Sequence, residues 1–160
     1  MLFTRGRFAA VETIPADIEA IAASLRPGDL AEIEAAGFES AREALEASVS
    51  LSPLVCLTML EAGRPIAICG VASLLLSQTG RPWVLSTTTL DKPAAQRAFL
   101  AFSRQVVSLM RHRYDCLENY VDARYAAAIR WIEWMGFMLE PPVPYGVHGE
   151  LFRRFWWKRR

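Results

Sequence analysis

Residues 116–137 read CLENYVDARYAAAIRWIEWMGF, and in and just after this stretch lie side chains able to move a proton. Glu118 can accept one as a carboxylate, Tyr125 can donate one as a phenol, and His148 can do either near neutral pH. Glu118 also reads simply as a solvated strand residue, and His148 as a loop residue. Cys56, Cys69 and Cys116 cannot all pair, and each sits within an apolar run. They read as buried, reduced thiols of a cytosolic protein. No spacing of cysteine and histidine suggests a metal site.

The elements that must position these residues follow from pattern. The apolar run ending at Val121 predicts a buried strand. Ala128, Ile129, Ile132 and Met135 recur at helical spacing and predict a helix over 126–135. Gly136 can take the positive φ that ends it, and Phe137 begins another extended run. Upstream, 8–13 predicts a strand. Pro15, Asp17 and Glu19 suit the start of a helix whose Ile18, Ile21, Ala22 and Leu25 face inward. Arg26-Pro27-Gly28 stops that helix. Asp29 caps a second, with Leu30 and Ile33 inward and Gly37 at its end. Ser40 and Glu43 have capping-box spacing and open a third, through Ala44, Leu45 and Val49.

Three strands come next, over 54–60, 66–76 and 82–90, joined by turns at 61–64 and 79–81, as an antiparallel meander. The longest helix covers 93–114, with Ala95, Phe99, Phe102, Val106 and Leu109 on one stripe. Arg97, Arg104 and Arg111 lie opposite it and read as a solvated face. After Phe137, two extended arms flank a Pro/Gly-rich loop. The chain has 160 residues, of which 52% are apolar, which argues against disorder and for one domain with a real core. No apolar run is long enough to span a membrane, and MLFTRGRFAAVET lacks the apolar core of a signal peptide.

The late segment resembles that of the GCN5-related N-acetyltransferase (GNAT) fold, which often shows V-x-x-x-N-x-x-A-I-x-x-Y-x-x-x-G-F here. Val121, Ala128, Ile129, Gly136 and Phe137 match; Tyr125 stands at the Asn position and Ile132 at the Tyr position. The resemblance implies an α/β (α+β) fold over residues 1–160, with a central, mostly antiparallel mixed sheet flanked by helices. It implies acetyl-CoA as cofactor and a small-molecule or protein amine as acceptor. Pantetheine would lie along the backbone of Leu85, Ser86, Thr87, Thr88 and Thr89. The pyrophosphate would meet the loop 90–97, which has no glycine and carries Asp91; Lys92, Gln96 and Arg97 would compensate. The usual general acid is missing at Ile132, which leaves the Tyr125 hydroxyl as acid and Glu118 or His148 as base. Trp83, Tyr145 and His148 would line the acceptor pocket.

A narrower resemblance joins LRPGDLAEIEAAG, GRPWVLSTTTL, FLAFSRQVV, NYVDARYAAAIRWIEWMGF and EPPVPYG. These blocks are similar to tailed-phage and prophage GNAT-like proteins related to internal virion protein A, whose members commonly read VDARN where this chain has VDARY. That implies a place in the host cytoplasm or the virion, other virion proteins as partners, and either an N-acetyltransferase or a scaffold that has lost chemistry and serves assembly. The ending RRFWWKRR carries five positive charges and leaves thirteen basic against seventeen acidic residues elsewhere. It reads as a last strand with both tryptophans inward and a frayed tail, or as a contact to nucleic acid. The acidic balance of the body favours the strand, and nucleic acid is not an expected partner.

Overall fold

The computed structural model describes residues 2–74 and 77–160. The expected end of the second meander strand, Leu76, lies outside them. The chain opens with a hairpin absent from the sequence reading, β1 (Phe3–Arg5) and β2 (Phe8–Glu12), turning at Gly6 with φ +58°. Three helices follow: α1 (Pro15–Ala22), α2 (Pro27–Ala35) and α3 (Ala41–Ser50). Pro27 does not stop α1 from outside. It is the first residue of α2, where its missing N–H costs nothing and its φ is already helical. Asp29 therefore lies inside the first turn of α2 and is not its cap. Leu30 is exposed where burial was expected; Ile33 is buried. Ser40 caps α3 by accepting the Glu43 amide at 3.1 Å, while the Glu43 carboxylate reaches past the cap to the Glu39 amide at 2.8 Å.

The meander is β3 (Cys56–Glu61), β4 (Arg64–Ala72) and β5 (Thr79–Ser86). Expected as a turn, Thr79-Gly80-Arg81 begins β5. Gly80 is there because Tyr114 and Val71 occupy the space a Cβ would need. A 3-10 turn over Thr88–Asp91 leads into α4 (Pro93–Arg113), then β6 (Cys116–Asp122) and α5 (Ala126–Trp134). Gly136 ends α5 with φ +81°, as its position predicted. β7 (Met138–Leu139), β8 (Val143–Pro144) and β9 (Leu151–Lys158) complete a nine-stranded sheet, ordered β1-β2-β3-β4-β5-β6-β9-β7 with β8 beside β9. Every pairing is antiparallel except β5 with β6.

Helices cover both faces. Ile18, Ile21, Ala44 and Leu45 of α1 and α3 pack on Ile68 and Leu85 from one side. On the other, Ala95, Ala98 and Phe102 cover Phe8, Ala10 and Met59. Val106, Val107 and Met110 meet Ile132, Phe137 and Phe155 further along. In α4, Leu109 packs against the core as expected but only half-buried, with Val107 and Met110 buried beside it, and one expectation fails: Arg111 is half-buried rather than solvated. The C-terminal basic segment is strand to Lys158. Phe152 and Phe155 are its buried residues, both tryptophans are half-buried, and Arg159 is tied to the last carbonyls of α4. No helix among the described residues is long and apolar enough to cross a membrane.

Candidate functional site

β5 and β6 meet at two register pairs only, Thr79↔Cys116 and Gly80↔Leu117. Past Gly80 no further pair joins them, and the gap is a cavity of about 910 Å³ reached by residues from both helical layers. Strand alternation directs the backbone groups of Pro82, Val84 and Ser86 into this gap. Asn119 fills the first position, its Nδ2 donating to the Pro82 carbonyl at 3.0 Å. The chain itself fills the last: the Ser86 amide donates to Asp29 Oδ2 at 2.7 Å, and the Ser86 carbonyl accepts the Arg26 amide at 2.8 Å. Val84 lies between them.

This alters the strand expected to carry a ligand. β5 stops at Ser86, not Leu90. Leu85 faces Ile68 of β4, the Thr87 amide donates to the Ile66 carbonyl at 2.9 Å, and Thr88 and Thr89 belong to the 3-10 turn. At the start of α4, Lys92 is the cap residue and no side chain caps the helix. Pro93 has no N–H, and the Gln96 amide is already bonded to the Lys92 carbonyl. The amides of Ala94 and Ala95 are therefore the open donors of this N-terminus. Gln96 lines the cavity, Lys92 and Arg97 are exposed, and Asp91 is ion-paired to Arg26 at 2.8 Å.

α2 lies across the other side of the cavity. Buried Asp29 accepts the Ser86 hydroxyl at 2.9 Å on Oδ2 and the Tyr125 hydroxyl at 2.8 Å on Oδ1. Gly28 makes room for the phenol: a Cβ there would stand 2.7 Å from the Tyr125 ring. Burial raises the Asp29 carboxyl, although these donors and Arg26 pull the other way. Burial likewise raises the Tyr125 phenol, reinforced by Asp29 beside it. One turn along α2, Glu32 is half-buried in the cavity wall and accepts the Asp122 amide on Oε1 at 2.8 Å. Burial, with Asp29 and Asp122 nearby, pushes its carboxyl up to about 7. Asp122 itself is held below the usual range by Arg124. A carboxyl that titrates near neutrality can hold or release a proton there.

Of the residues singled out in sequence, Trp83, Tyr125 and Tyr145 line the cavity; Glu118 and His148 do not. Trp83 donates to Ser52 Oγ at 2.8 Å, and Tyr145 stacks on Tyr120 with centroids 3.9 Å apart. Glu118 is bound by Arg154, which also holds Glu140 at 2.6 Å. His148 is exposed, and its amide donates to Glu150 Oε2 at 3.0 Å. Cys69 is in the cavity wall with its thiol pushed up to about 12 by burial, so it is a poor nucleophile. The sequence reading missed Glu32 and treated Asp29 as a cap. The available signal was their spacing of three, which puts two carboxylates on one face of a short helix.

No protein-family model matches the chain, and no curated protein matches it. Solved structures do. The ribosomal-protein-S18-alanine N-acetyltransferase of Escherichia coli is 15% identical over 94% of this chain and 93% of its own, with a TM-score of 0.63. yncA of Salmonella typhimurium, solved with its cofactor acetyl-CoA, is 14% identical over 96% and 95%, with a TM-score of 0.68. A spermidine N-acetyltransferase of Vibrio cholerae, in complex with CoA and spermine, is 10% identical over 97% of both chains, with a TM-score of 0.65. At these identities the likeness is one of fold: the chain has the GNAT fold.

Proposed function

We propose that this chain is an acetyl-CoA-dependent N-acetyltransferase whose general base is Glu32. The observation that carries the reading is a carboxyl pushed up to about 7 in the wall of a cavity that opens where β5 and β6 part. The open amides of Ala94 and Ala95, with Lys92 and Arg97 beside them, fit a pyrophosphate at a helix N-terminus. Phe99, Leu100 and Trp131 offer apolar wall to a pantetheine arm. Val84 is the one strand position among Pro82, Val84 and Ser86 whose backbone pair faces the gap without an internal partner, so pairing to that arm is short. Acetyl-CoA supplies an activated acyl thioester.

The chain's own part is to bind the amine and take its proton. An amine nucleophile must be neutral, and an ammonium near Glu32 is both attracted and deprotonated by it. Oε1 is occupied by the Asp122 amide, which leaves Oε2 for the substrate proton. Trp83, Tyr120 and Tyr145 supply aromatic faces for the amine-bearing group. Tyr125 serves the site by holding Asp29; its raised phenol and its bond to that carboxylate make it a weak acid.

A panel of primary amines with acetyl-CoA, assayed for free thiol, tests this. Turnover by the parent and a loss of about a hundredfold or more in Glu32→Gln is the expected result. Equal turnover in both would remove Glu32 from the mechanism. A second reading is favoured by one observation, the buried isoleucine at position 132 where the fold's usual acid stands. On that reading the chain is a phage scaffold used in virion assembly, and the same assay gives no turnover with any amine.

A further inference from the structure

Two features of the sequence that the cleft does not use meet on the outer surface: the arginines of α4 and the basic, aromatic end of β9. Arg104, Ser108, Arg111, His112, Trp134, Trp157 and Arg159 line a separate cavity of about 580 Å³, and no carboxylate lines it. Arg111 is the centre of it. Its guanidinium stands 4.9 Å from the Trp157 ring and 5.5 Å from Phe137, and its Nη2 donates to the Met135 carbonyl at 2.9 Å. Its Nε is buried and has no hydrogen-bond partner, and no acidic residue pairs with it among the described residues. Arg104 lies 4.5 Å over Trp134 and likewise has no ion pair among the described residues. Asp115 takes the Nε of Arg159 at 3.2 Å at the rim, while its Nη2 caps the α4 carbonyls. Arg104 and Arg111 are two helical turns apart on one face, so their forks can close on one anion.

A half-buried guanidinium without a counter-charge is costly to leave so, and a doubly charged oxyanion answers it. We propose that this pocket binds a phosphate monoester carried on a ring system that can lie against Trp134 or Trp157: a nucleoside 5′-phosphate, free or at the end of a nucleic-acid strand. The site is distinct from the N-terminus of α4. Eleven residues of helix separate Pro93 from Arg104, about 16 Å at 1.5 Å per residue. The inference does not rest on the transferase reading.

The full chain is titrated with inorganic phosphate, AMP and a 5′-phosphorylated oligonucleotide at low salt, by calorimetry and tryptophan fluorescence. AMP is expected to bind and quench tryptophan emission, and Arg104→Gln to weaken it at least about tenfold. That variant breaks no internal hydrogen bond, and an unchanged melting temperature confirms its fold. Tighter binding of the oligonucleotide than of AMP identifies a strand end as the source, and the reverse identifies a free nucleotide. Failure of all three probes to bind, or binding indifferent to Arg104→Gln, would each overturn the proposal. Amine acetylation is measured separately and can fail without affecting this result.

Discussion

The Tyr125 hydroxyl donates to the carboxylate of Asp29 at 2.8 Å, joining residues 96 positions apart across the mouth of the cleft. The same carboxylate holds the last residue of β5 through the Ser86 amide and hydroxyl. One buried acid thus ties α2, the end of β5 and the entry to α5 together. Its position explains why a tyrosine can stand where the fold usually has asparagine.

Tyr125→Phe removes one of three donors to Asp29 and should cost about 1–2 kcal/mol in urea melts. The lost bond favours the ionised carboxyl, so the loss should shrink as pH falls through the raised titration of Asp29. A loss that stays constant down to acid unfolding would mean that ring packing, not the hydroxyl, is what matters.

Gly28→Ala sets two effects of opposite sign against each other. Helix propensity alone would stabilise α2 by about 1 kcal/mol. The new methyl would stand 2.7 Å from the Tyr125 ring, and displacing it should cost about 1–3 kcal/mol. Net destabilisation is the expected result, relieved when Tyr125→Ala is made in the same chain. Stabilisation by the single change would show that the ring moves freely.

Glu32 gives a pH signature. Its folded carboxyl is raised from 4.5 to about 7, so protonation is favoured by folding. The stability it lends is complete below about pH 4.5 and is lost as pH rises through about 7. Glu32→Gln should therefore gain on the parent between pH 5 and pH 8, by about 1–2 kcal/mol after allowance for solvent at the cavity mouth. Parallel stability curves would place the carboxyl at its ordinary value. In the acetylation assay, parent kcat/KM should rise with pH through about 7.

Acetyl-CoA binding should be weak and salt-dependent, because a loop without glycine offers the pyrophosphate only the amides of Ala94 and Ala95 and relies on the exposed charges of Lys92 and Arg97. Calorimetry of Lys92→Ala and Arg97→Ala should each show a several-fold loss. Submicromolar affinity untouched by both changes would mean that the open amides of Ala94 and Ala95 suffice.

The helices were legible where Pro15 and Pro93 marked a start or Gly136 an end, and Ile132 packs inward as its spacing required, but Pro27, read as a stop, begins α2. The errors have local causes. Gly80 looks like a turn residue because the Tyr114 and Val71 contacts that require it are far away or hidden in another strand. Residues 88–91 carry threonines that favour strands, yet the Thr87 amide is already spent on Ile66, and the chain tightens into a 3-10 turn toward α4. Trp83 and Tyr145, expected to line an acceptor pocket, lie in the wall of the cavity. Glu32 was not legible, because its displaced proton equilibrium comes first from burial and then from Asp29 and Asp122, and only the fold supplies that burial and brings Asp122 to it.

β9 is the shared partner of β6, β7 and β8, and it follows all three in the chain. During synthesis each of those strands leaves the ribosome before the one it must pair with. The half of the sheet beyond β5 is thus assembled late and from distant contacts, the slow kind, while the β3–β5 meander can form from neighbours alone. A nascent chain halted before Leu151 would present three unpaired edges, and chaperone capture at that length is the natural consequence.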